Sequence, residues 1–159
     1  MKINKVLFKL VVAAVLGCSA GFAVAGDTQN LGVSASVTAT CKFLTTAQTL
    51  TFGAIDPSGT ATPSGSGATV TYRCTKGTAA TGVTLGNGGN FLTGSRRLGN
   101  GTDFIPYSLS LTGGTATGAG FGSAITGSAL TFTAGIVASD YQNVSAGTYT
   151  DTVLMTLTP

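Results

Sequence analysis

Leu31-Gly32-Val33-Ser34-Ala35-Ser36-Val37-Thr38-Ala39-Thr40-Cys41 is the stretch on which the fold turns. Leu31, Val33, Ala35, Val37, Ala39 and Cys41 fall at every second position, with Gly32, Ser34, Ser36, Thr38 and Thr40 between them. Successive side chains of a strand point to opposite faces, so this alternation predicts a half-buried β-strand. Further strands are predicted over residues 49–55, 68–74, 82–85, 104–112, 130–137 and 148–158. Turn-forming runs separate them: Asp56-Pro57-Ser58-Gly59, Asn87-Gly88-Gly89-Asn90 and Gly99-Asn100-Gly101. Residues 113–127, low in complexity, read as one long loop. No stretch past residue 26 shows a helical period. Short strands with Gly-rich turns predict an all-β sandwich, and Thr at the outward positions suits a solvated sheet face.

Composition closes off most chemistry. The chain has 159 residues, of which 43% are hydrophobic, enough for one packed domain. Only 8% are charged, about a third of the usual share. Histidine and tryptophan are absent, and the five acidic residues are all Asp: Asp27, Asp56, Asp103, Asp140 and Asp151. Without imidazole or paired carboxylates, no nucleophile can be matched to a base, and no Ca²⁺ loop can be assembled. The Gly118, Gly120, Gly122 run lacks the following helix and the Lys-Ser/Thr of a phosphate loop. No enzymatic activity and no cofactor are expected. Asp56 before Pro57 reads as a turn residue, and Arg96-Arg97 as a solvated turn or strand edge.

The first 25 residues read as a secretory signal peptide. Lys2, Lys5 and Lys9 precede an uncharged run over residues 10–16, and Ala23-Val24-Ala25 supplies the small residues of a cleavage site. The apolar run is too short to span a bilayer. Lipid attachment at Cys18 is the competing reading, and the downstream Ala-x-Ala argues against it. Cleavage after Ala25 leaves Lys42, Arg73, Lys76, Arg96 and Arg97 against the five Asp, a balanced chain without an electrostatic case for nucleic acid. Cys41 and Cys74 are then the only cysteines. An even count in an exported protein predicts a disulfide, and a metal site would lack two further ligands.

Both ends of the mature chain carry amphipathic strands. In the last, Val153, Met155 and Leu157 share one face while Leu154 interrupts the other. Such strands either pair within the chain or are left as edges for another chain.

A set of pieces spanning the mature chain resembles the spore coat U domain family, whose best-understood members are pilins of the archaic (Csu-type) chaperone–usher pathway. The pieces are Thr38-Ala39-Thr40-Cys41, Leu50-Thr51-Phe52-Gly53 with Asp56-Pro57, Val70-Thr71-Tyr72-Arg73-Cys74, Gly88-Gly89 with Arg96-Arg97-Leu98, Tyr107-Ser108-Leu109, and Gly147-Thr148-Tyr149-Thr150-Asp151-Thr152-Val153. The chain departs from the family at Ser110, where a second aromatic is frequent, and at Thr158-Pro159, where an aromatic is common.

The resemblance implies an incomplete immunoglobulin-like β-sandwich completed by donor-strand exchange. A periplasmic chaperone first fills the gap. The N-terminal strand of a neighbouring pilin subunit then replaces it at the outer-membrane usher. On that pattern, residues 1–25 are the signal peptide, 26–40 the donor strand leading into the first strand, and 41–159 the pilin domain. Leu31, Val33, Ala35 and Val37 are the donor residues. The expected product is a structural subunit of a surface pilus, exported through the periplasm to a cell-surface fimbrium or secreted. The competing expectation is a secreted monomeric coat or binding protein that closes its own sandwich.

Overall fold

Strand formation here follows apolar alternation wherever a partner strand is available. The structure, a computed structural model, describes residues 26–159; the signal-peptide and Cys18 readings lie outside the described residues. The chain divides into two units, Met1–Ala35 and Ser36–Pro159. In the first, residues 26–35 are exposed and belong to no ladder. The second holds every described strand: β1 (Cys41–Phe43), β2 (Val70–Cys74), β3 (Gly82–Leu85), β4 (Arg96–Gly99), β5 (Phe104–Thr112), β6 (Ser128–Gly135) and β7 (Met155–Thr158). A single 3₁₀ turn, Ala138–Asp140, is the one helical element among the described residues.

The strands form a five-stranded sheet in the order β1-β2-β6-β5-β4 and a two-stranded sheet of β3 and β7, with every named pair antiparallel. In β2, Val70, Tyr72 and Cys74 are buried and Thr71 and Arg73 alternate outward. Leu130 of β6 lies opposite Val70 and joins the same cluster. Val83 of β3 and Met155 and Leu157 of β7 pack onto that cluster from the second sheet. A second cluster gathers Ile105, Ile136 and Tyr141, with Phe52, Leu98 and Tyr107 against it.

Two buried tyrosines fasten loops to this core. Ala116 N–H donates to the Tyr72 hydroxyl at 2.9 Å, holding the long loop before β6. The Tyr141 hydroxyl donates to Ala61 O at 2.7 Å. Each ring supplies apolar area, and its buried hydroxyl keeps a partner. No polar or charged residue is fully buried among the described residues.

The observed strands differ from the expected ones where pairing fails. The strand predicted from Leu31 forms a ladder only from Cys41 to Phe43. Alternation gives a segment its two faces but not a partner, and an unpaired strand leaves its backbone to water. Residues 49–55 reduce to one bridge, Thr51 to Ser66. Gly53 at φ 73° and Gly67 at φ 99° turn the backbone away from extended pairing on either side of it. Residues 148–158 shorten to β7 because the chain changes sheets: Thr150 bridges Gly99 of β4, and Met155 pairs with Leu85 of β3. Arg96-Arg97 opens β4, an edge strand as one reading had it, but it is half-buried and not solvated.

Candidate functional site

β1 bonds only to β2, and β7 only to β3, among the described residues. An open groove of about 320 Å³ lies where β1 ends and β7 begins. Phe43 and Thr45 to Ala47, following β1, form one wall. Thr152, Val153, Leu154 and Met155, leading into β7, form the other, with Val70 at the floor. Core side chains near it are only partly covered. Phe43 and Met155 pack on the buried cluster yet retain open surface. Val153, Met155 and Leu157 are half-buried on one face, while Thr152, Thr156 and Leu154 point outward, Leu154 being 74% exposed.

The N-terminal candidates are equally uncovered. Leu31 is 87% exposed, Val33 86% and Val37 83%, and Ala35 is exposed as well. Single exposed apolar residues are ordinary, but four at strand spacing are an uncovered apolar face.

The segment becomes fixed just after Val37. Thr40 N–H donates to Thr75 Oγ1 at 3.1 Å, and Thr75 N–H to Thr40 O at 2.9 Å. The Thr75 hydroxyl lies 3.3 Å from Thr38 O as well. Cys41 and Cys74 then face each other in the β1–β2 register and are joined by a disulfide. With both sulfurs bonded to each other, the metal alternative is gone. The bond closes the loop of residues 42–73 and stabilises the domain by roughly 3–4 kcal/mol in the chain-entropy account.

Arg96, Tyr107 and Asp151 are named in the sequence, but the structural work they do is not assigned to them by sequence reasoning. The Asp151 carboxylate accepts from Gly89 N–H at 2.7 Å, Asn90 N–H at 3.3 Å and the Tyr107 hydroxyl at 2.7 Å. Burial raises the Tyr107 phenol well above its ordinary range, and the hydrogen bond to Asp151 and that residue's negative charge add to the shift, while Arg96 opposes it. Gly88 lies so close to the carboxylate that any Cβ would overlap it, at a φ of 88° that favours glycine in any case. Arg96 Nε donates to Gly86 O at 2.9 Å and its guanidinium reaches Leu85 O at 3.2 Å and Leu109 O at 3.4 Å, joining the end of β3 to β5. The Gly88-Gly89 and Arg96-Arg97 pairs stand out in the sequence. The partner of Gly89 lies 62 positions away and those of the arginines 7 to 13, and none of them carries a local signal.

Asp56 and Asp103 each hold a serine, the first two positions away and the second 42. Asp56 accepts from the Ser58 hydroxyl and N–H, and Asp103 from the hydroxyl and N–H of Ser145. In each case the serine hydroxyl, then its amide, holds the carboxyl below its usual value. Among the described residues no group of three His, Cys, Asp or Glu gathers as a metal site would require.

The Spore Coat Protein U domain family matches residues 27–156, most of the chain. The chain belongs to this family. The resemblance drawn from its motifs therefore holds, and the family's protein here is not an enzyme. No curated protein matches the chain. Among solved structures, it is similar to the CsuC–CsuE chaperone–tip adhesion subunit pre-assembly complex of archaic chaperone-usher Csu pili from Acinetobacter baumannii, with 23% identity and a TM-score of 0.47. That match covers 77% of this chain and 40% of the solved chain, so the family member described here spans well under half of it.

Proposed function

We propose that the protein is a structural subunit of a secreted surface fibre, a pilus, assembled by a chaperone–usher pathway through donor-strand complementation. The reading assigns residues 1–25 to a signal peptide, 26–40 to the donor strand and 41–159 to the pilin domain. One observation carries it. A spore coat U chain combines an open groove, where β1 ends and β7 begins, with an apolar, alternating segment that no described ladder uses. The groove calls for one more strand, and Leu31, Val33, Ala35 and Val37 have the period of one. A periplasmic chaperone occupies the groove first, an outer-membrane usher carries out the exchange, and a neighbouring subunit supplies the final strand. The product passes through the periplasm to the cell surface.

The pinning of Thr38 and Thr40 by Thr75 favours donation over self-closure. These residues extend the line of β1 along β2.

The test is expression with a chaperone and usher of the archaic type. Surface fibres are expected with both, and a soluble chaperone-bound subunit in the periplasm when the usher is omitted. A chain that reaches the medium as a free monomer in both cases would contradict the reading.

A further inference from the structure

Asp151 stands where the chain passes from one sheet to the other. Thr150 still pairs with Gly99 of the five-stranded sheet through two backbone bonds, at 2.9 and 3.0 Å. Four residues beyond Asp151, Met155 pairs with Leu85 in the two-stranded sheet. Thr152, Val153 and Leu154, between these anchors, are the groove wall. Among the described residues, their anchor in the two-stranded sheet is Leu154 O, which accepts from Gly86 N–H at 2.8 Å. The path of so short a crossing is decided by what holds its start.

The Asp151 carboxylate is that hold. It draws together loop 88–90, through the Gly89 and Asn90 amides, and β5, through Tyr107. The loop is itself fastened, because Asn90 Nδ2 donates to Thr150 O at 3.0 Å and Arg97 Nε to Asn90 O at 2.9 Å. A charged acceptor with three donors is stronger than a neutral pair, and its half-buried Tyr107 partner is shielded from competing water.

We infer that Asp151, with Tyr107, is a positioning residue for strand docking: it sets the groove wall in place before the incoming strand arrives. A wall already in place removes an ordering cost from association. Once seated, the strand bonds to the wall directly and no longer depends on the carboxylate. This inference rests on the donor-strand reading above.

The test uses the full chain carrying Val33→Asp, which disables its own donor segment, and a fluorescent synthetic peptide of residues 29–39 as probe. Association and dissociation rates are compared in that parent and with Asp151→Ala, Asp151→Asn or Tyr107→Phe added. Asp151→Ala is expected to slow association roughly tenfold, the scale of losing hydrogen bonds to a charged acceptor. Tyr107→Phe slows it less, and Asp151→Asn, which keeps one oxygen for the amides, partly rescues it. Dissociation stays near the parent rate. If all three variants lower the melting temperature but leave the association rate unchanged, the role is structural only and the inference is overturned. Should Asp151→Ala fail to fold, Tyr107→Phe and Asp151→Asn decide the matter by the same rates. A parent that binds no peptide overturns the donor-strand reading itself, so the two failures are distinct.

Discussion

A subunit carrying Val33→Asp is expected to fold on its chaperone and yet fail to enter the fibre, whereas Ser34→Asp assembles at close to the parent level. Val33 belongs to the row Leu31, Val33, Ala35, Val37, which at about 3.3 Å per residue presents a face roughly 20 Å long. Burying Leu31, Val33 and Val37, now 83–87% exposed, contributes on the order of 5–8 kcal/mol before ordering costs, at about 1.5–3 kcal/mol each. Backbone bonds to the open edges of β1 and β7 add to this and fix the register. An Asp at position 33 would enter a groove lined by Phe43, Val70, Val153 and Met155 without a cationic partner. Burying an unpaired carboxylate costs more than the remaining apolar contacts return. Ser34 lies on the opposite, outward face, where a charge remains hydrated. The measurement is a count of surface fibres beside the amount of chaperone–subunit complex in the periplasm. Equal assembly by the two variants would count against donation. Loss of the chaperone complex in Val33→Asp would assign the segment to the subunit's own core.

Cys41→Ser is expected to abolish accumulation of the subunit in the periplasm. The Cys41–Cys74 bond fastens the three-residue edge strand β1 to β2 at its first residue. β1 has no other ladder partner among the described residues, and its Phe43 forms part of the groove. Removing roughly 3–4 kcal/mol is a large share of an ordinary domain's 5–15 kcal/mol. The loss falls on a domain whose Phe43, Met155 and Leu157 are only half-covered. Immunoblots of periplasmic extract measure the effect directly. Parental yield and parental thermal stability would show that β1 is held by its backbone bonds alone.

Much of the fold is legible in the chain. β3 and β5 occupy the residues that alternation marks, and β2 and β6 shift by two residues or fewer at their ends. Local pattern suffices for these strands because both their faces and their partners lie within one sheet. It fails for residues 31–40, where the apolar face has no partner in the described chain, and for 148–154, where the chain crosses between sheets. Pairing is a property of two segments, and one segment's pattern cannot report it. The disulfide followed from counting cysteines. The Asp151 clasp did not, because a carboxylate near a strand looks the same in sequence whether it meets water or two amides and a tyrosine from 44 to 62 positions away. Arg96 is legible in part: the strand edge agrees with the sequence reading, whereas the carbonyls of Leu85, Gly86 and Leu109 around its guanidinium leave no local mark.

Size-exclusion of the mature chain, alone and with an excess of a synthetic peptide of residues 29–39, tests strand donation most directly. If Leu31 to Val37 of one copy complete the groove of the next, the chain alone runs as a ladder of oligomers. Added peptide then caps free grooves, shortening that ladder toward a monomer that carries one peptide. A single monomeric peak that ignores the peptide, with the amides of residues 31–37 protected from hydrogen exchange, would contradict the account and show a sandwich closed by its own strand.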